Sequence, residues 1–241
     1  MTTNGRVTER LETVHHDHHS SKPAAEPRLR VVPPTTLRVE DFELPTRYLA
    51  VKYAASRVIA AVMLLLLAPL FGLIAAILRA KLGKGVLYRQ TRVGRGGVDF
   101  EILKFRTMEV DRRAASRPVE QDRRRTHKSD DDPRHIGIGR LLRKTSLDEL
   151  PQLWNVVKGE MTLVGPRPEL ASVADQYGFR DHPRHVVVPG ITGLWQVSEY
   201  RNQLLHEHIE VDVDYVQQVG LGLDLRIIGR TFMQLVRPTG R

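Results

Sequence analysis

One uninterrupted run of uncharged residues, Val58 to Leu78 (VIAAVMLLLLAPLFGLIAAIL), constrains this chain more than any other feature. As a helix it would extend ~31 Å at ~1.5 Å per residue, enough to cover the hydrocarbon core of a bilayer. Basic residues flank both ends: Arg47, Lys52 and Arg57 before it, Arg79, Lys81 and Lys84 after it. Positive charge favours the cytoplasmic side, and a straight span cannot place both its ends there. Pro69 lies near the midpoint. It removes a backbone donor and clashes with the preceding turn, so the helix can break into two limbs that enter and leave by one face. Two alternatives stand beside this reading: a single span kinked at Ala68-Pro69, and a helix buried in a soluble core. Flanking Arg and Lys suit an interface better than a core. The expected arrangement is a re-entrant membrane helix-break-helix over residues 47–80, which attaches the protein, and its chemistry, to a membrane.

The 241 residues leave room for one main domain plus appendages. A formal net charge of +9 favours anionic partners such as lipid headgroups, phosphorylated substrates or nucleic acid. With no cysteine, disulfides and thiolate metal sites are excluded. No secretory signal opens the chain. Residues 1–46 are poor in apolar side chains and are expected to be a disordered polar tail. Its cluster His15, His16, His18 and His19 reads as a solvated tail before it reads as a metal site. A second charged stretch, Asp111 to Arg134, is expected to be a mobile loop on a catalytic domain spanning 81–241.

Residues 86–93 (VLYRQTRV) and 98–106 (VDFEILKFR) are strand-like runs joined by Gly94-Arg95-Gly96-Gly97, a hairpin signature. A strand, not a helix, follows the glycines, so a turn is preferred to a phosphate loop. Lys104 and Arg106 are two apart and would share a face, either as a diphosphate clamp or as ordinary exposed cations. Ser146 and Glu149 fit a capping box and Lys158-Gly159 a helix end, which predicts a helix over about 147–158. Leu147, Leu150, Leu153, Trp154 and Val157 would face the core, with Asp148, Gln152 and Asn155 opposite. Asp148 would then sit in a first turn whose dipole favours its ionised form. Pro151, as a fifth helical residue, would distort that turn. From spacing alone, the Asp148-Glu149 pair reads as capping before it reads as chemistry.

Arg167 stands between Pro166 and Pro168, which restrict the backbone and could fix a guanidinium for phosphate recognition or simply form a rigid turn. PGITGLWQV (189–197) reads as a turn and a short strand, with Trp195 in the core or stacked on a ring. In residues 221–237, Leu221, Leu225, Ile228, Phe232 and Leu235 recur at helical spacing, with Arg226, Arg230 and Arg237 elsewhere around the axis. That is a core helix or, slightly favoured, a basic amphipathic helix on a membrane surface.

Together the Pro-broken segment, YRQTRVGRGG, KFRTM, LLRKTSLDELPQLWNVVKGEMTLVGPRPE and PGITGLWQV resemble the bacterial sugar transferase family, the monotopic phosphoglycosyl transferases, from about Arg47 to Arg237. The short polar N-terminus resembles the minimal form of that family. The resemblance implies transfer of a sugar 1-phosphate from a UDP-sugar to a polyprenyl phosphate with release of UMP, the initiating step of exopolysaccharide or glycoconjugate synthesis. It implies Asp148 as the nucleophile of a phosphosugar-aspartyl intermediate and Glu149 as a ligand of Mg²⁺. Lys104, Arg106, Arg143 and Arg167 would bind phosphate oxygens. Localisation would be the cytoplasmic face of the bacterial inner membrane, with membrane lipid and no nucleic acid as partners and a homodimer left open. After WQVS the family usually continues with a small Gly-Arg turn, whereas this chain has Glu199-Tyr200-Arg201-Asn202, a departure that bears on specificity. The rival class is a non-enzymatic basic membrane protein, which does not account for a carboxylate pair beside several arginines. The expected fold is α+β and mainly helical, with a small sheet built on the hairpin.

Overall fold

The apolar run breaks at its proline. The computed structural model describes residues 42–108 and 137–236. In it, α1 (Thr46–Leu66) ends at Leu67 and α2 (Ala68–Leu82) begins with Pro69 in its first turn. A proline is tolerated there because the first backbone donors of a helix have no internal partner. Among the described residues, α1 is the one helix long and apolar enough to cross a membrane. The His-rich tail, the loop at 111–134 and Arg237 lie outside the described residues.

Both limbs pack on one body of protein. Leu49 of α1 joins Val164, Val186, Val216, Val219 and Ile227 in one core cluster. Ala60 packs with Ile102, Leu153, Val156 and Met161 in a second. Ile74 and Leu78 of α2 pack with Phe105 and Leu142 in a third. The start of α1 is also tied by polar groups. Lys52 Nζ lies 2.6 Å from Asp224 Oδ2, which also accepts from Tyr48 at 2.6 Å, while Tyr215 donates to Asp224 Oδ1 at 2.8 Å. Ser56 and Thr162 share a buried hydroxyl bond of 2.9 Å. Buried polar groups require such partners, so the first turns of α1 belong to the domain rather than to lipid.

After α2 comes the expected antiparallel hairpin, β1 (Leu87–Val93) with β2 (Asp99–Phe105), in a register that pairs Tyr88 with Lys104 and Arg92 with Phe100. Gly96 and Gly97 take positive φ of 66° and 75° in the turn. A Cβ on Gly97 would meet the Arg180 carbonyl at 2.8 Å, and Arg180 Nη1 donates to the Gly97 carbonyl at 3.1 Å. The glycines therefore serve a turn and a close approach.

α3 (Gly137–Lys144) leads to a 3₁₀ turn, Leu147–Glu149, and then α4 (Gln152–Lys158). This corrects the continuous helix predicted over 147–158. Pro151 precedes the helix rather than interrupting it, and Ser146, at φ 56°, makes no side-chain cap. The faces are corrected too. Trp154 is 51 % exposed, whereas Gln152 and Asn155 are buried. Asn155 has bonds to make: its Oδ1 accepts from the Leu103 amide at 3.1 Å, and its Nδ2 donates to the Glu101 carbonyl at 2.7 Å. The carboxamide thus completes the open edge of β2, a buried role that outweighs its polarity.

β3 (Thr162–Val164) and β4 (Gly190–Thr192) pair in parallel, with α5 (Ala171–Tyr177) between them. The strand predicted within 189–197 is only these three residues, and Trp195 lies in a 3₁₀ turn, buried against Leu205 and Val211. α6 (Glu210–Gln217) and α7 (Leu221–Val236) finish the described chain. On α7, Ile227 and Asp224 face the core, while Leu221, Leu225, Ile228, Phe232 and Leu235 are all exposed. The fold is mainly helical with small sheets, compatible with α+β.

Candidate active site

Four segments, the hairpin, α4, the Pro-Arg-Pro turn and β4, converge on a small cleft lined by Arg92, Ile102, Lys104, Gln152, Arg167, Pro168 and Gly190. β1 and β2 bring Arg92 and Lys104, because residues 92 and 100, 90 and 102, and 88 and 104 pair across the hairpin and share one face. The Pro-Arg-Pro turn supplies Arg167. Gly190 forms part of the wall because a Cβ there would lie 2.1 Å from the Gly165 amide, so two backbones touch where a side chain would part them.

The carboxylate pair comes from the 3₁₀ turn Leu147–Glu149. Glu149 Oε1 accepts from Lys104 Nζ at 2.6 Å and lies 3.8 Å from Arg167 Nη2. Burial alone would raise the Glu149 carboxyl, but Lys104, Arg167 and Arg92 outweigh it and hold it down at about 2. Burial pushes the Lys104 ammonium below its usual value, against the pull of Glu149. Arg92 is brought down to about 10 by burial and by Arg167.

Asp148 behaves oppositely. Burial and the neighbouring Glu149 charge raise it to about 6, although Lys104 and Arg143 pull it down. The expectation of a carboxylate favoured by a helix dipole is therefore corrected: α4 starts four residues later, and desolvation dominates. At pH 7 a group of that pKa is still about nine-tenths ionised. Among the described residues, Asp148 makes no ion pair of its own, so it is the carboxylate left available. One member of the pair is held by cations, and the other is an anion in a poorly solvating site. That is a suitable state for a nucleophile.

Of the sequence candidates, the structure brings Lys104, Glu149 and Arg167 into contact and sets Asp148 beside them, within reach of the Arg143 charge. Arg106 is directed elsewhere. Its amide continues the hairpin ladder one residue past β2 by donating to the Val86 carbonyl at 2.8 Å. Its guanidinium donates instead to the Leu82 carbonyl at 2.7 Å and the Lys84 carbonyl at 3.1 Å, capping the end of α2. Two lining residues with polar side chains, Arg92 and Gln152, are not among the sequence candidates. Cross-strand alternation from Lys104 would have found Arg92; for Gln152 the helix phase was misjudged.

The described residues hold no group of three His, Cys, Asp or Glu side chains able to bind a metal. Glu149 meets Lys104 and Arg167 through Oε1, and its second oxygen would suit a Mg²⁺ that takes most of its ligands from substrate phosphates and water, not one caged by protein.

The family described as bacterial sugar transferase matches residues 47–238. The chain is 41% identical over 187 residues to the UDP-glucose:undecaprenyl-phosphate glucose-1-phosphate transferase of Caulobacter vibrioides, covering 74% of this chain and 67% of that protein. It is 40% identical over 185 residues to the exopolysaccharide production protein ExoY of Rhizobium meliloti, covering 71% and 79%. To the galactosyl transferase CpsE of Streptococcus agalactiae it is 39% identical over 162 residues, covering 66% of this chain and only 36% of that longer protein. A match over most of its described length, through the cleft and the carboxylate turn, places this chain in the bacterial sugar transferase family.

Proposed function

We propose that this protein transfers a sugar 1-phosphate from a UDP-sugar to a membrane polyprenyl phosphate, with Asp148 as a covalent nucleophile. The observation that carries the reading is the division of the carboxylate pair: Glu149 held at about 2 by Lys104 and Arg167, Asp148 raised to about 6 and without an ion pair among the described residues. Relatives named for UDP-glucose and undecaprenyl phosphate support the substrate classes.

An Asp148 carboxylate oxygen attacks the phosphorus that bears the sugar, and the bond from that phosphorus to the bridging oxygen breaks, releasing UMP. An oxygen of polyprenyl phosphate then attacks the phosphosugar-aspartate, the Asp148 oxygen-phosphorus bond breaks, and the carboxylate is restored. Lys104 and Arg167 present cations where the diphosphate charge accumulates, in a partly desolvated cleft where their attraction is enhanced. Arg143 reaches Asp148 by its field. Glu149 would hold Mg²⁺, which when bound would supply further positive charge for the diphosphate and the leaving UMP, with Asp148 left free to attack.

The same reading places the protein on the cytoplasmic face of the bacterial inner membrane, anchored by a re-entrant pair of limbs. Leu49 at the start of α1 and Leu78 near the end of α2 both pack on the domain that carries the cleft. Val58, Ile59, Val62, Leu65, Leu66 and Leu73, between them, are exposed and apolar, as the exposed face of α7 is. A single span would instead carry one end of the run some ~30 Å from the other.

The test is release of UMP from a panel of radiolabelled UDP-sugars by membranes carrying the protein. Transfer of label to lipid, lost in Asp148→Asn, supports the reading. A non-enzymatic basic membrane protein would release none.

A further inference from the structure

Arg184 and Asp212 lie outside the cleft, and the mechanism does not use them. Both side chains are completely buried, with Nη2 and Oδ2 2.5 Å apart. Arg184 Nε and Nη1 and Asp212 Oδ1 have no hydrogen-bond partner among the described residues. Burial raises the Asp212 carboxyl to about 6 even beside this guanidinium. A buried ion pair with unsatisfied valences is weak as a stabilising device, so its place calls for another account.

The account lies in the second acceptor of Arg184. The same Nη2 donates to the backbone carbonyl of Arg167. The two flanking carbonyls are also taken: Pro166 O accepts from the Gly190 amide at 2.9 Å, and Pro168 O accepts from Arg92 Nη1 at 3.0 Å. Prolines restrict the tripeptide from both sides, and three bonds hold its carbonyls in turn. What this fixes is the direction of one side chain, the Arg167 guanidinium that faces Glu149 in the cleft.

We infer that Arg184, held by Asp212 of α6, is a positioning residue that aims Arg167 at the diphosphate of the nucleotide sugar. The inference rests on the phosphoryl-transfer reading. A lysine at 184 would keep a charge for Asp212, but its ammonium ends one bond nearer the backbone than Nη2 and cannot reach both acceptors where they stand. A neutral asparagine at 212 keeps an acceptor of similar shape but loosens the guanidinium.

The test is a double-mutant cycle between each of these changes and Arg167→Ala, in the full chain reconstituted in lipid nanodiscs. Binding of UDP by calorimetry and UMP release from UDP-sugar are both measured. Arg184→Lys, and more mildly Asp212→Asn, should weaken UDP binding by about fivefold and kcat/KM by about tenfold when Arg167 is present, and by less than about twofold when it is alanine. Equal losses in both backgrounds would mean a general structural role and overturn the inference. If one variant does not fold, the other carries the same cycle. A wild-type protein that binds UDP but transfers no phosphosugar would end the phosphoryl-transfer reading, while the binding cycle would still decide the clamp.

Discussion

Asp148 and Glu149 are chemically near-identical neighbours that the fold drives apart. Glu149 meets Lys104 and Arg167, while Asp148 meets burial and the charge of Glu149. Turnover should therefore fall as pH drops through about 6, with the proton taken up by Asp148, and level off above about 7. A pH-rate profile flat from 5 to 8 would show that Asp148 titrates elsewhere or does not act. Stability should move the opposite way. The folded pKa of Asp148 lies above its ordinary value of 3.8, so its stabilising contribution is complete below about pH 4 and is lost as pH rises through 6. Asp148→Asn should thus abolish turnover and yet raise the melting temperature at pH 8, with the gain vanishing near pH 4. Thermal scans at the two pH values check this, and a destabilised variant at pH 8 would contradict it. The metal is tested at the same residues. Excess chelator should stop turnover, and added Mg²⁺ should restore it, because a diphosphate beside two carboxylates needs more positive charge than Lys104 and Arg167 supply. Undiminished rates in chelator would remove Mg²⁺ from the proposal.

At the scale of elements, the site depends on α4 being fastened to β2 through Asn155. Replacing it with leucine would leave the Leu103 amide and the Glu101 carbonyl without partners, at about 2–3 kcal/mol. Asn155→Leu should lower the unfolding midpoint accordingly and reduce kcat, because Leu103 directly precedes Lys104. Unchanged stability would show that water replaces the amide. This is also where sequence reading was weakest. The hairpin was legible because glycines and alternation are local signals, and so was the break at Pro69. Cap rules placed one helix over 147–158, but Pro151 began a new helix and Ser146 turned left-handed, which shifted every face by part of a turn. Asn155 looked like a surface residue because its polarity was visible and its partners, about fifty residues away, were not. Arg106 is drawn away by the carbonyls at the end of α2, contacts some twenty residues distant that no local pattern marks. The cleft cations Lys104 and Arg167 and the carboxylate pair were all legible as motifs, but their pairing was a tertiary fact.

For the whole molecule, the governing question is how the apolar run sits relative to the cleft. Charge on both flanks, a break at Leu67 before Pro69, and both limbs packed on one domain support entry and exit by the same face. The polar ties of Lys52 and Ser56 to Asp224 and Thr162 require the start of α1 to remain with the domain, since unpairing them in lipid would leave buried charge without partners. The chain has no cysteine, so single cysteines at the exposed positions Thr46 and Lys84 report topology without background. Both should react with an impermeant reagent only from the cytoplasmic side; labelling of Thr46→Cys from the periplasm would establish a span. Replacing Pro69 with leucine restores a donor and removes the ring clash, so a straight helix of ~37 residues becomes available. Some Pro69→Leu molecules should then insert across the bilayer and expose the cysteine at 46 to the outside. That fraction must tear α1 from Asp224 and Thr162, and its cleft would no longer meet an acceptor phosphate at the headgroup level. Activity per molecule should therefore fall in proportion to the spanning fraction. Full activity in a population shown to span would break the link between re-entry and catalysis.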